Sequence, residues 1–218
     1  GKLVGQDPRD EPAVELLKRI QEEKARLVRE GETRREQPLP PIGIQEVPSE
    51  NPDNWKLARL GDTSTLITKG STPTSYGHAF VPSGINFIKV ESIKDGRLVS
   101  ENVTSFISEQ THNFLARSRL APGDILFSIA GSIGACARVT PSILPANTNQ
   151  ALAIIRGTNL VFDAEFLLIC LKSSIAHLVL AKARGGAMNN VSLDDIRNLV
   201  VPIPPLDEQH RIVAKVDE

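Results

Sequence analysis

The sequence predicts an α+β fold: a body of short, mostly antiparallel strands with a few helices, flanked by one helix at each end. Three observations carry this expectation. Short β-rich runs recur through the middle of the chain, separated by glycine, proline and Asp-Gly punctuation. One stretch inside that body, FDAEFLLICLKSSIAHLVLAKARGG, is strongly helical. Strand and helix do not alternate regularly, as a parallel doubly wound sheet would require.

Residues 1–49 are polar and free of aromatics. The spacing predicts a helix over about 11–30, with Glu11 and Pro12 in its first turn and Gly31 beyond its end. Val14, Leu17, Ile20, Leu27 and Val28 form an incomplete apolar stripe, which suits packing on its own domain or on another subunit. ETRREQPLPPIGIQEVPSENPDN then reads as an extended, proline-rich linker.

Residues 50–205 form the expected body. NWKLARLGDTSTLITKG mixes short apolar alternations with Gly61 and Gly70 as breaks. INFIKVESI and LVSENVTSFI are β-rich runs around a turn at Asp95-Gly96. GDILFSIAGSIGACARV reads as two strands around a Gly-Ser turn, and ALAIIRG as another. The helical stretch is predicted to open near Asp163, to break or bend around Ser173-Ser174 and to end at Gly185-Gly186. Asn190 or Ser192 is placed to cap a short turn before the strand LVVPI. Residues 206–218 begin one more helix, with Asp207 and Glu208 in its first turn and a stripe of Ile212, Val213 and Val216.

Composition excludes several classes. A chain of 218 residues that is 40% apolar and 23% charged can build a globular core. Its net charge of −1 gives no bulk attraction to nucleic acid, although basic residues gathered on one face would override that figure. Cys136 and Cys170 lie in apolar runs without metal-ligand spacing and read as small core residues in a reducing cytoplasm. There is no signal-peptide pattern and no apolar run of about 18 residues, so neither export nor a membrane span is expected.

Catalytic motifs are equally scarce. The chain has no G-x-G-x-x-G, no G-x-x-x-x-G-K-[ST] and no H-E-x-x-H. His78, His112, His177 and His210 are scattered without a second ligand one helical turn away. Asp194-Asp195 is ordinary acid at a helix start, and Ser132 in AGSIG does not fit a nucleophile elbow. A binding module is the remaining class. LITKGSTPTSYGHAFVPSG, residues 66–84, has dense small hydroxyls around Lys69 and one tyrosine. That composition suits a plain surface loop, and it equally suits phosphate contacts from N–H, hydroxyl and ammonium with base-edge contacts from Tyr76.

PIPPLDEQHRIVAKVDE resembles the junction that closes each target-recognition domain in the specificity subunits of Type I restriction–modification systems. NWKLARLGDTSTLITKGSTP is similar to the opening of such a domain, with a Trp, a Leu-Gly and a Gly-x-Thr-Pro loop. GDILFSIAGSIG resembles its Gly-Ser strand pair, and GKLVGQDPRDEPAVELLKRIQEEKARLVREG the end of the central conserved region before the second domain.

The resemblance implies residues 1–49 as the end of that central region, 50–205 as a DNA-reading domain, and 206–218 as the start of a long conserved coiled-coil helix. It implies a non-catalytic subunit that reads one half of a bipartite double-stranded DNA target in the bacterial or archaeal cytoplasm. Methyltransferase subunits would bind it and methylate adenine, and a DNA-cleaving motor subunit would join them. S-adenosylmethionine, ATP and Mg would belong to those partners, with no cofactor on this chain. It also implies that the chain is cut from a longer one, because it carries one recognition domain and only the ends of two helices. Expected DNA contacts are Lys69, Gly70, Ser71, Thr72, Pro73, Thr74, Ser75 and Tyr76. Lys89, Ser92, Ser132, Arg184, Asn189 and Asn190 extend the set. A protein-interaction scaffold, or the specificity domain of a fused restriction–methyltransferase enzyme, are the alternatives.

Overall fold

The computed structural model describes residues 3–47, 51–183, 191–216 and 218, with side chains described outside 174–183. It is α+β, as the sequence predicts. Five α-helices are described: α1 (Ala13–Arg29), α2 (Glu109–Phe114), α3 (Ala164–Ala183), α4 (Leu193–Asn198) and α5 (Leu206–Val216). The strands are β1 (Lys56–Arg59), β2 (Leu66–Lys69), β3 (Phe80–Val81), β4 (Ile85–Ile88), β5 (Ile93–Lys94), β6 (Arg97–Leu98), β7 (Phe106–Ile107), β8 (Ile125–Ser128), β9 (Cys136–Arg138), β10 (Ala146–Thr148), β11 (Leu152–Arg156) and β12 (Val200–Ile203). They fall into two compact units. The first combines Gly1–Leu66, Gly157–Ser174 and Asp194–Glu218; the second combines Ile67–Arg156 and Ile175–Leu193.

The first unit joins segments far apart in sequence. β1 and β12 pair antiparallel, from Lys56 opposite Ile203 to Arg59 opposite Val200. α1 buries Ala13, Leu16 and Ile20. Of the expected stripe, Ile20 is buried and Leu17 and Leu27 are half-buried, while Val14 and Val28 stand exposed, because Ala13 and Leu16 pack inward with Ile20 instead. Glu23 and Arg26 pair at 2.7 Å on the outer face.

The proline-rich linker is extended but not loose. Arg59, 5% exposed, spends all five of its N–H groups on neighbours. Nε donates to the Pro40 carbonyl at 3.0 Å and Nη2 to that of Pro41 at 2.9 Å. Nη1 reaches the Asn198 carbonyl at 2.7 Å, and both η-nitrogens grip the Glu46 carboxylate at 2.7 and 2.9 Å. One buried guanidinium thus fastens the linker to β1 and to the end of α4.

The closing residues of the chain are fastened in the same way. Glu208 is fully buried and accepts from Trp55 Nε1 at 3.0 Å and from Asn54 Nδ2 at 3.1 Å. Gln209, also buried, donates to the Val161 and Pro204 carbonyls and accepts from the Asp163 N–H at 2.8 Å. Arg211 pairs with Asp10 at 2.6 Å. Trp55 near the start of the body and Glu208 near the end of the chain are therefore two halves of one contact. Asp163 caps α3, its Oδ1 accepting from the N–H groups of Glu165 and Phe166. α3 is one continuous helix from Ala164 to Ala183, so no break falls at Ser173-Ser174.

The second unit holds two four-stranded sheets, in the orders β2-β11-β8-β9 and β10-β4-β7-β3, and the small β5-β6 ribbon. β8 is buried along its whole length, as are Leu152–Ile155 of β11, so both faces of this sheet are covered. Ile88, Leu126, Val139, Ile143, Leu152 and Ile154 lie at the core between elements. Asp95 and Gly96 both take positive φ, 52° and 81°, the mirror-image turn that matches strand twist. The hairpin is as expected, but its strands are only two residues long. The first four residues of INFIKVESI pair elsewhere: β4 runs parallel to β10 and antiparallel to β7. Neither Cys136 nor Cys170 is in a disulfide, and both are buried, as the sequence suggests. Burial pushes the Cys170 thiol up to about 12.

Candidate nucleic-acid interface

Lys69 ends β2 exposed, and Gly70 begins the loop. A Cβ on Gly70 would lie 2.2 Å from the carbonyl oxygens of both Thr148 and Asn149. The backbone approaches so closely because the loop is laced to the β10–β11 connection. Gly70 N–H donates to the Leu152 carbonyl at 3.2 Å and Ser71 N–H to that of Thr148 at 3.0 Å. The Thr72 hydroxyl meets the Gln150 amide oxygen. Pro73–Tyr76 then form a single 3₁₀ turn, with Pro73 at its start and Gly77, φ 77°, at its left-handed end.

This geometry sorts the expected contact residues. Lys69, Thr74, Ser75 and Tyr76 present their side chains to solvent, and Thr72 does so in part. Ser71 and Pro73 are buried and support the loop from below. Ser92 is 1% exposed, and its hydroxyl donates to the Asn102 carbonyl at 3.4 Å, so it braces a turn. Lys89 lies over the Phe80 ring, 5.2 Å from its centroid. Ser132 is exposed in a cleft of about 460 Å³ that Glu91 and Asn149 also line. Arg184, Asn189 and Asn190 lie outside the described residues.

Several neighbours of the loop escape a reading of sequence alone. Arg117 Nη2 reaches the Ser71 hydroxyl at 3.4 Å. Phe114 meets Tyr76 and His78 across the surface. Asn149 and Gln150 cradle the loop from the β10–β11 connection. The one signal available was Phe114 itself, a phenylalanine among polar residues in EQTHNF. Its partners are distant along the chain and meet it only through the folded sheet.

Charge separates with the units. The second unit has ten Lys and Arg against five Asp and Glu, a net of +5, whereas the first has 15 against 21, a net of −6. The overall charge of −1 conceals this division. A basic excess together with exposed hydroxyls, a lysine and a phenol supplies attraction for phosphate and donor and acceptor groups for base edges. Among the described residues no cluster of His, Cys, Asp and Glu could hold a metal ion, and no helix is long and apolar enough to cross a membrane.

Comparison with known proteins agrees with this chemistry. The specificity subunit of the Type I restriction enzyme EcoAI of Escherichia coli is 32% identical over the whole chain, and so is that of EcoEI from the same organism. The chain spans 37% and 38% of those two proteins. Among solved structures, the HsdS subunit of Thermoanaerobacter tengcongensis shares the fold with a TM-score of 0.59 at 24% identity, over 80% of this chain and 44% of that one. A chain of a type I R-M system studied for complex assembly aligns with a TM-score of 0.57 at 23% identity, over 94% of this chain and 45% of its own. The profile that matches residues 52–218 is that of the Type I restriction modification DNA specificity domain, and the chain belongs to that family.

Proposed function

We propose that this chain is a sequence-reading module of a Type I restriction–modification enzyme and recognises one half of a bipartite target in double-stranded DNA. The observation that carries the reading is the rigid, hydroxyl-rich loop at Lys69–Tyr76 on a unit whose net charge is +5. In this reading the chain performs no chemistry. Methyltransferase subunits supply S-adenosylmethionine and flip the adenine, and the motor subunit brings ATP and Mg. All work in the cytoplasm, where the DNA is. The first unit, with its locked helix ends, carries the contacts to those partners.

The test is fluorescence anisotropy with random-sequence duplex DNA over a salt series. Affinity should fall linearly on a log–log plot as salt rises. Replacing Lys69 by Ala should weaken binding and reduce the slope by about one, the loss of a single phosphate contact. A slope unchanged by Lys69→Ala removes that lysine from the interface. A chain with no salt-dependent binding at all is not a DNA reader.

A further inference from the structure

Three rings of the second unit meet at one exposed place. Tyr76 ends the loop turn, His78 follows it, and Phe114 ends α2. The Phe114 centroid lies 4.6 Å from that of His78 and 5.7 Å from that of Tyr76. Tyr76 is 52% exposed and Phe114 57%. A single exposed phenylalanine needs no explanation. This one differs in being held. Ser108 caps α2 through the Thr111 N–H, the Thr111 hydroxyl meets His78 Nδ1 at 3.1 Å, and the His78 N–H donates to the Pro73 carbonyl. The helix and the recognition loop are therefore tied together beneath the rings. Arg117, three residues beyond Phe114, reaches Ser71 of the same loop. The result is a preorganised apolar tip beside exposed hydroxyls, on the basic unit.

A phenyl ring has no hydrogen-bonding group, so on a base pair it can distinguish only an apolar feature. The major groove offers one, the 5-methyl group of thymine. We propose that Phe114, steadied by Tyr76 and His78, packs on a thymine methyl in the major groove and makes thymine the preferred base at one position of the target. This rests on the DNA-reading function proposed above and adds a base identity to it. The other use of an exposed phenylalanine is to wedge between base pairs from the minor groove. Phe114 instead has His78 tilted against it at 37° and Tyr76 at 63°.

The experiment is selection of bound duplexes from two random pools, one made with thymidine and one with deoxyuridine in its place. The wild-type chain, Phe114→Ala and Phe114→Leu are each used. From the thymidine pool the wild type should enrich a motif with one strongly preferred thymine. Preference there should fall about fourfold, the worth of one buried methyl, in the deoxyuridine pool and equally in Phe114→Ala. Phe114→Leu, still apolar, should keep it. The remaining positions of the motif should be unchanged throughout, which a misfolded variant would not show. The same wild-type motif from both pools, or the wild-type motif from Phe114→Ala, overturns the thymine contact and leaves DNA reading intact. Loss of all binding in Phe114→Ala with indifference to the pool also overturns it, in favour of a wedge. No motif from either pool overturns both readings.

Discussion

Gly70 lies outside the left-handed region, so its lack of a side chain serves close approach and not an unusual backbone conformation. The two carbonyl oxygens 2.2 Å from its missing Cβ belong to Thr148, which ends β10, and to Asn149 just after it, backbone that has no flexible end to move aside. Gly70→Ala should therefore push the recognition loop off Thr148 and Asn149. The expected cost is about 1–3 kcal/mol of unfolding free energy, of the kind that overpacking brings, read by urea denaturation followed by circular dichroism. DNA affinity should fall with it, because Ser71, Thr72 and the 3₁₀ turn hang from the same lacing. An alanine variant as stable as the wild type would show that the loop stands clear of that connection. Sequence marks Gly70 as a break between apolar runs, but the reason it must be glycine lies about 80 residues further along the chain.

At the scale of elements, what could be read from the sequence depended on how local the cause was. The Asp95-Gly96 hairpin, the Asp163 cap and the strand pair around Gly131-Ser132 have their causes within a few residues, and each stands where expected. The parallel pairing of β4 with β10 does not, because nothing in INFI names a partner 60 residues away. The linker is a mixed case. Its prolines predict an extended chain, while its fixed position comes from Arg59, which looks like an ordinary strand-end charge in sequence. The Arg59 guanidinium and the Gly43 N–H hold the Glu46 carboxyl below its ordinary value of 4.5. A carboxylate so depressed stabilises the fold above its unfolded pKa and loses that contribution as pH falls through its folded pKa. Glu46→Ala should cost about 1–3 kcal/mol at pH 7, since it strands a nearly buried guanidinium. The difference from wild type should start to shrink below about pH 4.5 and vanish as the wild-type carboxylate takes its proton. A pH-independent difference would assign the effect to packing alone.

For the whole molecule, the division of charge matters more than its total. A net of −1 describes neither unit, because the chain carries a basic body and an acidic one. Within a Debye length of about 8–10 Å at physiological salt, a DNA phosphate responds to the local field and not to the sum over the chain. DNA should therefore be drawn to the second unit and repelled by the first. Lysine acetylation with and without duplex DNA, read by mass spectrometry, checks this on the intact chain. Lys69, exposed on the basic unit, should be protected several-fold. Lys18, Lys56 and Lys215, exposed on the acidic unit, should react at the same rate in both conditions. Raising salt should abolish the protection of Lys69 in step with the loss of affinity, since both follow from counterion release. Equal protection on the two units would mean that DNA does not distinguish them. The charge division would then serve protein partners alone.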